Sequence, residues 1–555
     1  MINKLAAAPN LAPDYYVKNF RFLLEWVDER YHDLLTAQER NFINVFRQLE
    51  HQAQCLLVRL SSRKGPLFRR DKLKYSEIIC IDKAAEQLVQ TGLLHTDTAH
   101  DLPTLAAALT KPEILTLFAE ALSGQRQARK NVLIEKLATT FSTARSWQQW
   151  TNNIFGTAWH LDNEAIIRTL HLLFFGNTNQ DLTQFVLQDL GLFRYERYII
   201  DEKHRLFKSR VELEQYQCLI NLREQLNGDC SVPMLIEFAA QLPAYCDSEP
   251  VRRRRAKVCN KLAYAFERAG EYARALELYA QSHLPPARER RIRLMEKHGE
   301  LAQAWALLTQ LLEQPLDEQE LQIAQRMAKR IGKKLGTAIS HSPAAAITSQ
   351  YYELRRLLDA ENKALRVEET VRLTLNSPSA PCVYAENALL SSLFGLWLWP
   401  EMFRSIEGTF AHPFQTAPLD MYQENFVINR PGIAALWESL ENGRYRTNIS
   451  NTWQEKYGIA NDFIHWSFIT ANLLEMALHC IPAEHLKLIF KRLLFDMKNN
   501  RSGLPDLIQF FPEQQNYRMI EVKGPNDRLQ DNQRRWLEYF AQHQIPVEVF
   551  YVRWK

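Results

Sequence analysis

Gly503-Leu-Pro-Asp506-Leu-Ile-Gln-Phe-Phe511, Pro512-Glu-Gln-Gln-Asn-Tyr517 and Ile520-Glu521-Val522-Lys523-Gly-Pro-Asn-Asp527 succeed one another near the end of this 555-residue chain. Two apolar runs of β character flank a turn-rich segment, which is the pattern of a hairpin. Strand side chains alternate between faces, so Glu521 and Lys523 share one face while Ile520 and Val522 point into a core. Asp506 opens the partner run, and the hairpin therefore gathers three ionisable side chains on one small surface. Two carboxylates this close repel unless a hard divalent cation sits between them, and Mg²⁺ or Mn²⁺ prefers such oxygen donors. The lysine adds positive charge where a phosphate oxygen or an attacking water develops negative charge. The alternative is a surface hairpin whose Glu and Lys are simply solvated.

A helix is expected downstream, capped by Asp527 with Gln530 at the reciprocal position and with Leu529, Trp536, Leu537 and Phe540 as its apolar stripe. Gln533 falls within that stripe, where a polar side chain needs a partner. The active site is the expected partner, and a core glutamine bonded to backbone is the alternative.

Taken together, Gly503-Leu-Pro-Asp506, Glu521-Val-Lys523-Gly-Pro-Asn-Asp527 and Gln533-x-x-Trp536 resemble the virus-type replication-repair nuclease (VRR-NUC) module, a branch of the PD-(D/E)xK nucleases. Upstream, Tyr384-Ala-Glu386-Asn-Ala-Leu and Leu393-Phe-Gly-Leu-Trp-Leu-Trp399 are similar to the helix that supplies a further metal-binding Glu in the Fanconi-anaemia-associated nuclease family. Ala417-Pro-Leu-Asp420, Thr452-Trp-Gln-Glu455, Arg63-Lys-Gly-Pro-Leu-Phe-Arg-Arg70 and Lys72-Leu-Lys-Tyr75 also look like segments of that family, collinear from about Leu57 onward. The resemblance implies that Glu386, Asp506, Glu521 and the Val522 carbonyl bind Mg²⁺ or Mn²⁺ and that Lys523 is the catalytic lysine. It implies 5′-flap endonuclease and 5′-to-3′ exonuclease activity of the phosphodiesterase I type, on branched or crosslinked DNA in interstrand-crosslink repair. Read without the family, Glu386 is an ordinary helical glutamate. Two rival readings stay open: a Holliday-junction resolvase, which would cut four-way junctions at paired positions, and a non-catalytic repair scaffold, which would not cleave.

Composition sets the frame. The chain is too long for one core, and its 18 glycines and helix-forming residues suit a mainly α multi-domain protein ending in the α/β nuclease domain. Eight scattered cysteines without a Cys-x-x-Cys pair predict neither a zinc finger nor a disulfide framework. Eukaryotic members of the family it resembles carry an N-terminal ubiquitin-binding zinc finger, but no Cys/His cluster precedes the helices here, so ubiquitin binding is not expected; a monomer in a bacterial cytoplasm, on its DNA, is, or in a nucleus if the source is eukaryotic. The N-terminus does not read as a signal peptide, and the apolar run Leu389 to Trp399 is too short to span a bilayer. The absence of a phosphate loop speaks against ATP-driven unwinding, and the histidines show no ligand spacing.

Net charge is only +4, so DNA affinity has to come from clusters. Arg59, Arg63, Lys64, Arg69, Arg70, Lys72 and Lys74 fall in one stretch with Phe68 and Tyr75. Arg252, Arg253, Arg254 and Arg255 form a run followed by Lys257 and Lys261, and four arginines fall between Arg288 and Arg293. Arg63, Lys64, Arg69, Arg70, Lys72 and the Arg252 to Arg255 run are the candidate phosphate contacts. Solvated helix faces are the plain alternative.

Along the chain, residues 1–72 read as amphipathic helices, with Phe20, Leu23, Leu24 and Val27, then Phe42, Val45, Phe46 and Leu49, at helical spacing. Residues 73–145 read as a compact helical, winged-helix-like unit followed by helices that resemble the SAP-type DNA-binding pair of the same family, with a plain helical hairpin as the alternative, and 146–245 as a helical linker. Residues 246–365 are TPR-like, with helix–Gly270–helix and the small Ala263 and Ala275. A loop is expected over 336–349, and the nuclease domain over 366–555.

Overall fold

In the computed structural model, residues 12–178, 180, 182, 185, 194–337 and 346–555 are described. They divide into two units, residues 1–193 with 201–206, and residues 194–200 with 207–555.

The second unit carries a five-stranded sheet. Its strands are β1 (Ser349–Leu354), β2 (Cys382–Tyr384), β3 (Leu507–Phe511), β4 (Asn516–Lys523) and β5 (Val547–Trp554), in the spatial order β1-β5-β4-β3-β2. β3 and β4 form the expected antiparallel hairpin, with Leu507 opposite Ile520 and Gln515 closing the turn at φ +49°. β5 runs parallel to β4, and the crossover between them contains a helix, as a parallel pair requires. Leu507, Ile520, Val522, Phe550 and Val552 make one face, packed with Val371 of α1 (Val367–Leu375) and with Cys382. Ile508, Phe510, Met519 and Val549 on the opposite face are also buried. Glu521 therefore lies between two buried layers at 0% exposure, which rules out a solvated surface hairpin.

The sheet begins before the expected start at residue 366. β1 pairs in parallel with β5 from Ser349 opposite Val549 to Leu354 opposite Trp554. The reason is long-range: β5 would otherwise be an unpaired sheet edge, and no local periodicity announces which distant segment satisfies it. Residues 338–345 of the expected loop lie outside the described residues.

α2 (Leu389–Met402) is buried on nearly every side, the pattern of a core helix. Among the described residues, no helix is long and apolar enough to cross a membrane. Helices Glu249–Arg268, Tyr272–Ala280, Ala287–Lys297, Leu301–Glu313 and Glu318–Leu335 form the TPR-like array. Gly270 ends the first at φ +84°, and Ala263, Ala275 and Ala304 are fully buried where helices meet.

In the first unit, helices Tyr15–Tyr31, Ala37–Gln48 and His51–Ser61 bury the apolar faces foreseen, including Phe20, Leu23, Val27, Phe42 and Phe46. The Ala37–Gln48 helix opens on a capping box, in which the Glu39 side chain accepts from the Thr36 N–H and the Thr36 hydroxyl from the Glu39 N–H. Strands Leu67–Arg69, Ala158–Leu161 and Leu94–His95 complete a small antiparallel sheet. Helices Leu102–Ala108, Lys111–Leu117 and Lys130–Ala138 share a core with Trp147 and Trp150.

Candidate active site

Asp506 stands immediately before β3, and the register of the hairpin places it opposite Glu521. Its carboxylate accepts a hydrogen bond from the Val522 N–H at 2.8 Å, and its own carbonyl accepts from the Ala385 N–H at 2.7 Å. Lys523, two residues after Glu521 on the same face, has its Nζ 2.8 Å from Glu521 Oε1. Among the described residues, Lys523 is the one group that meets the buried Glu521 carboxylate, and Glu521 Oε2 has no hydrogen-bond partner. Burial is the main force pushing the carboxyls of Asp506 and Glu521 above the usual range. For Glu521, repulsion from Asp506 comes next and Lys523 opposes it; for Asp506, Glu386 adds to the rise while the Val522 N–H and Lys523 oppose it. A buried carboxylate with one ammonium beside it and an oxygen left over is costly in itself. The donor set, oxygens only with one lysine beside them, fits a hard divalent cation.

Glu386 belongs to a turn and not to a helix, which corrects the sequence-based expectation. Asn387 takes a left-handed conformation at φ +50°, so α2 starts only at Leu389. Glu386 is exposed and accepts a hydrogen bond from the Tyr384 hydroxyl. It is near enough to Asp506 and Glu521 for its charge to raise both, yet it is not gathered with them. Accordingly, among the described residues no group of three or more His, Cys, Asp or Glu side chains is arranged to hold a metal ion. Sequence reasoning missed Glu368, in the first turn of α1, whose charge also reaches Asp506. The signal was the acidic pair Glu368-Glu369 at a helix start.

The approach to β3 depends on Gly503. It sits at φ +87°, and a Cβ there would stand 2.8 Å from the Asn532 carbonyl carbon, so only glycine lets this segment abut the helix α3 (Asp531–Gln542). The cap of α3 also differs from expectation. Gln530 is the N-cap, and Gln533 accepts from its backbone N–H at 2.9 Å, while Asp527 accepts from the Gly524 N–H. Leu529 precedes the helix, leaving Trp536, Leu537 and Phe540 as its buried stripe. The helix starts three residues later than the sequence suggested because Asn526 adopts φ +73° and prolongs the turn. Gln533 thus has a backbone partner, and Gln533→Ala should cost about 1 kcal/mol of stability, read as a shift in denaturant midpoint at constant slope.

The basic clusters separate into available and engaged charges. Arg63 and Lys64 are exposed, with Arg63 3.2 Å from the Tyr75 hydroxyl. Arg70 makes a two-pronged pair with Asp82, and Lys72 stands 3.6–3.7 Å from Glu113 and Asp71. Arg69 and Phe68 correct the expectation: both are buried, and Arg69 is held between Asp71 and Glu113, so neither offers itself to DNA. The reason is strand alternation cut short, since all three residues of Leu67–Arg69 are buried.

The Arg252 to Arg255 run is likewise occupied. Arg252 pairs with Glu249, Arg253 with Glu424 at 2.6 Å, Arg254 donates to the Tyr216 hydroxyl, and Arg255 to the Pro243 carbonyl and Gln281. Arg288, Arg290 and Arg293 pair with Glu320, Glu267 and Glu289. Positive charge persists at Lys257, whose pKa is pushed down by burial and then by Arg253, Arg254 and Arg223. Lys261, lowered by burial and then by Arg223, is engaged: its ammonium donates to the Arg223 carbonyl and to the Asn227 side chain.

Comparison with known proteins follows the same outline. The VRR-NUC domain model matches residues 440–554, the FAN1 HTH domain model residues 14–95, and the Fanconi anemia-associated nuclease SAP domain model residues 101–150. The Fanconi-associated nuclease 1 homolog of Pseudomonas aeruginosa is 40% identical over 98% of this chain and 96% of its own length. Fanconi-associated nuclease 1 of Homo sapiens is 22% identical over 97% of this chain and 62% of its own length. The crystal structure of paFAN1 bound to 2nt 5′flap DNA with gap is similar at a TM-score of 0.83 and 38% identity, covering 99% of this chain and 100% of that one.

Proposed function

The chain belongs to the Fanconi-associated nuclease family and is a phosphodiester hydrolase, and on that premise we propose that it cuts DNA bearing 5′ flaps in a metal-dependent, structure-specific way. In this reading it also digests DNA 5′ to 3′ and serves in interstrand-crosslink repair, as a monomer in a bacterial cytoplasm. The observation that carries the reading is the fully buried Glu521, which shares one sheet face with Asp506 and with the Lys523 that pairs with it.

Asp506, Glu521 and the Val522 carbonyl, with Glu386 brought in from its turn, are the groups that would hold Mg²⁺ or Mn²⁺. Such an ion, when bound, polarises the scissile phosphate and makes water a stronger acid. The chain itself does the rest. The Val522 N–H holds the Asp506 carboxylate in one orientation. Lys523 sets positive charge beside the phosphate, where negative charge grows as the water attacks. Burial on both faces of β4 keeps bulk water from weakening these interactions.

End-labelled 5′-flap, splayed, nicked and four-way-junction DNAs, incubated with Mg²⁺ and with Glu521→Ala as control, test the reading. The flap should be cut best; a preference for paired cuts in the symmetric junction would make the protein a junction resolvase instead.

Arg63 and Lys64 are the proposed phosphate contacts of the first cluster, and Lys257 that of the second. Replacing Arg63 and Lys64 together by Gln should weaken flap binding and lower its salt slope by about one for each phosphate that is no longer neutralised. Cleavage at saturating protein and low salt should persist. An unchanged slope across a salt series would return these two residues to the solvated surface.

A further inference from the structure

The sheet face that bears Asp506, Glu521 and Lys523 continues beyond the lysine onto β5 and β1. In the parallel register Val549 neighbours Glu521, Tyr551 neighbours Lys523, Tyr351 neighbours Tyr551, and Glu353 neighbours Arg553. Paired residues of parallel strands show their side chains on the same face, so Tyr551, Tyr351 and Arg553 extend the surface of the active site. Exposure rises along it, from 0% at Glu521 and Val549 to 8% at Lys523 and 64% at Tyr351. The rings of Tyr351 and Tyr551 stack with centroids 5.3 Å apart and planes 27° from parallel. The Arg553 guanidinium lies 4.4 Å from the Tyr351 ring centroid. The nearby carboxylate, Glu353, has the Lys555 ammonium 3.6 Å away.

An exposed tyrosine stacked on a half-buried one and topped by an exposed arginine is not a core feature. It presents flat π surface and positive charge toward solvent, two strands from the group that meets the scissile phosphate. Two interstrand steps amount to about 10 Å, or up to three stacked nucleotides at about 3.4 Å each. Aromatic faces hold bases of any sequence, and arginine adds attraction to ring and phosphate alike. We propose that Tyr351, Tyr551 and Arg553 form a stacking platform for the nucleobases of the strand being cut, next to the scissile phosphate. The platform fixes which phosphodiester reaches Lys523 without reading sequence. This inference rests on the nuclease reading of Asp506, Glu521 and Lys523.

The test uses the full chain and 5′-flap DNAs that each carry one 2-aminopurine at successive positions around the branch. In chelator, where the DNA stays intact, the wild type should change the fluorescence at one or two adjacent positions. Tyr351→Ala and Tyr551→Ala should abolish that change and weaken flap binding about tenfold, within the range for removal of one base–aromatic stack. The corresponding Phe variants should keep both. With Mg²⁺, Tyr351→Ala should raise KM more than it lowers kcat and spread the cuts over neighbouring positions. Tyr351 is exposed, so its replacement should leave Tm unchanged, and Arg553→Gln is a second exposed variant expected to weaken binding. Ala variants that retain affinity and signal, or Phe variants that lose as much as Ala, would overturn the platform. A wild type that fails to cut flap DNA with Mg²⁺ or Mn²⁺ would instead overturn the nuclease-site reading.

Discussion

Glu521→Ala should slow cleavage of 5′-flap DNA by at least about a hundredfold, the scale seen when one preorganised charge-stabilising group is removed. The expectation follows from the position of the side chain. Glu521 is fully buried and pairs with Lys523 on the face it shares with Asp506. Asp506→Ala and Lys523→Ala should show losses of the same order, since the three act on one reacting phosphate and their effects should not add. DNA binding should survive in all three, because phosphate contacts elsewhere supply most affinity. Single-turnover cleavage and equilibrium binding on the same flap separate the two effects. Near-normal cleavage by Glu521→Ala would sink the site assignment. In the metal-free protein Glu521→Ala should not lower the melting temperature, since it relieves a buried repulsion; a large drop would mark a structural role instead.

Chelation of divalent ions should reduce cleavage to background, with Mg²⁺ and Mn²⁺ restoring it. Ca²⁺ should support binding with little reaction, because its larger and looser coordination shell positions ligands poorly. A second readout is independent of turnover. Burial first, and repulsion among Asp506, Glu521 and Glu386 after it, raise the carboxyl pKa values of Asp506 and Glu521 in the folded chain. The folded state then binds these protons more tightly than the unfolded state does. Their contribution to stability is full below the ordinary carboxylate range near pH 4 and is lost as pH rises through the raised values. Metal-free protein should therefore lose stability over that window by more than the Glu521→Gln variant does. Saturating Mg²⁺ or Mn²⁺, which favours the ionised pair, should oppose the loss. Thermal melts across pH, with and without metal, measure both; identical pH profiles for wild type and Glu521→Gln would remove the buried-pair account, and full cleavage in chelator would refute the metal mechanism.

The chemistry of the site was legible from local order, because a strand's two-residue period alone puts Glu521 and Lys523 on one face and Ile520 and Val522 on the other. Asp506 followed from the turn that folds its strand back. The amphipathic helices were equally local: Phe20, Leu23 and Val27, or Trp536, Leu537 and Phe540, repeat at helical spacing wherever the rest of the chain lies. The sequence by itself could also count the charges, but it could not say which were already engaged.

Partnership across long separations was decided by the tertiary structure. Arg69 is buried against Glu113, and Arg253 pairs with Glu424, 171 residues away. β1 joins the sheet through β5 at the far end of the chain, which moves the start of the sheet upstream and sets Tyr351 beside Tyr551. Glu386 leaves its expected helix because a left-handed Asn387 ends the turn that follows β2, and Gln533 is drawn into the cap of α3. The physical reason is common to all of these. Periodicity and turn chemistry act within a few residues, whereas burial on both sheet faces and the pairing of charges depend on which distant segments meet, and no local pattern encodes that meeting.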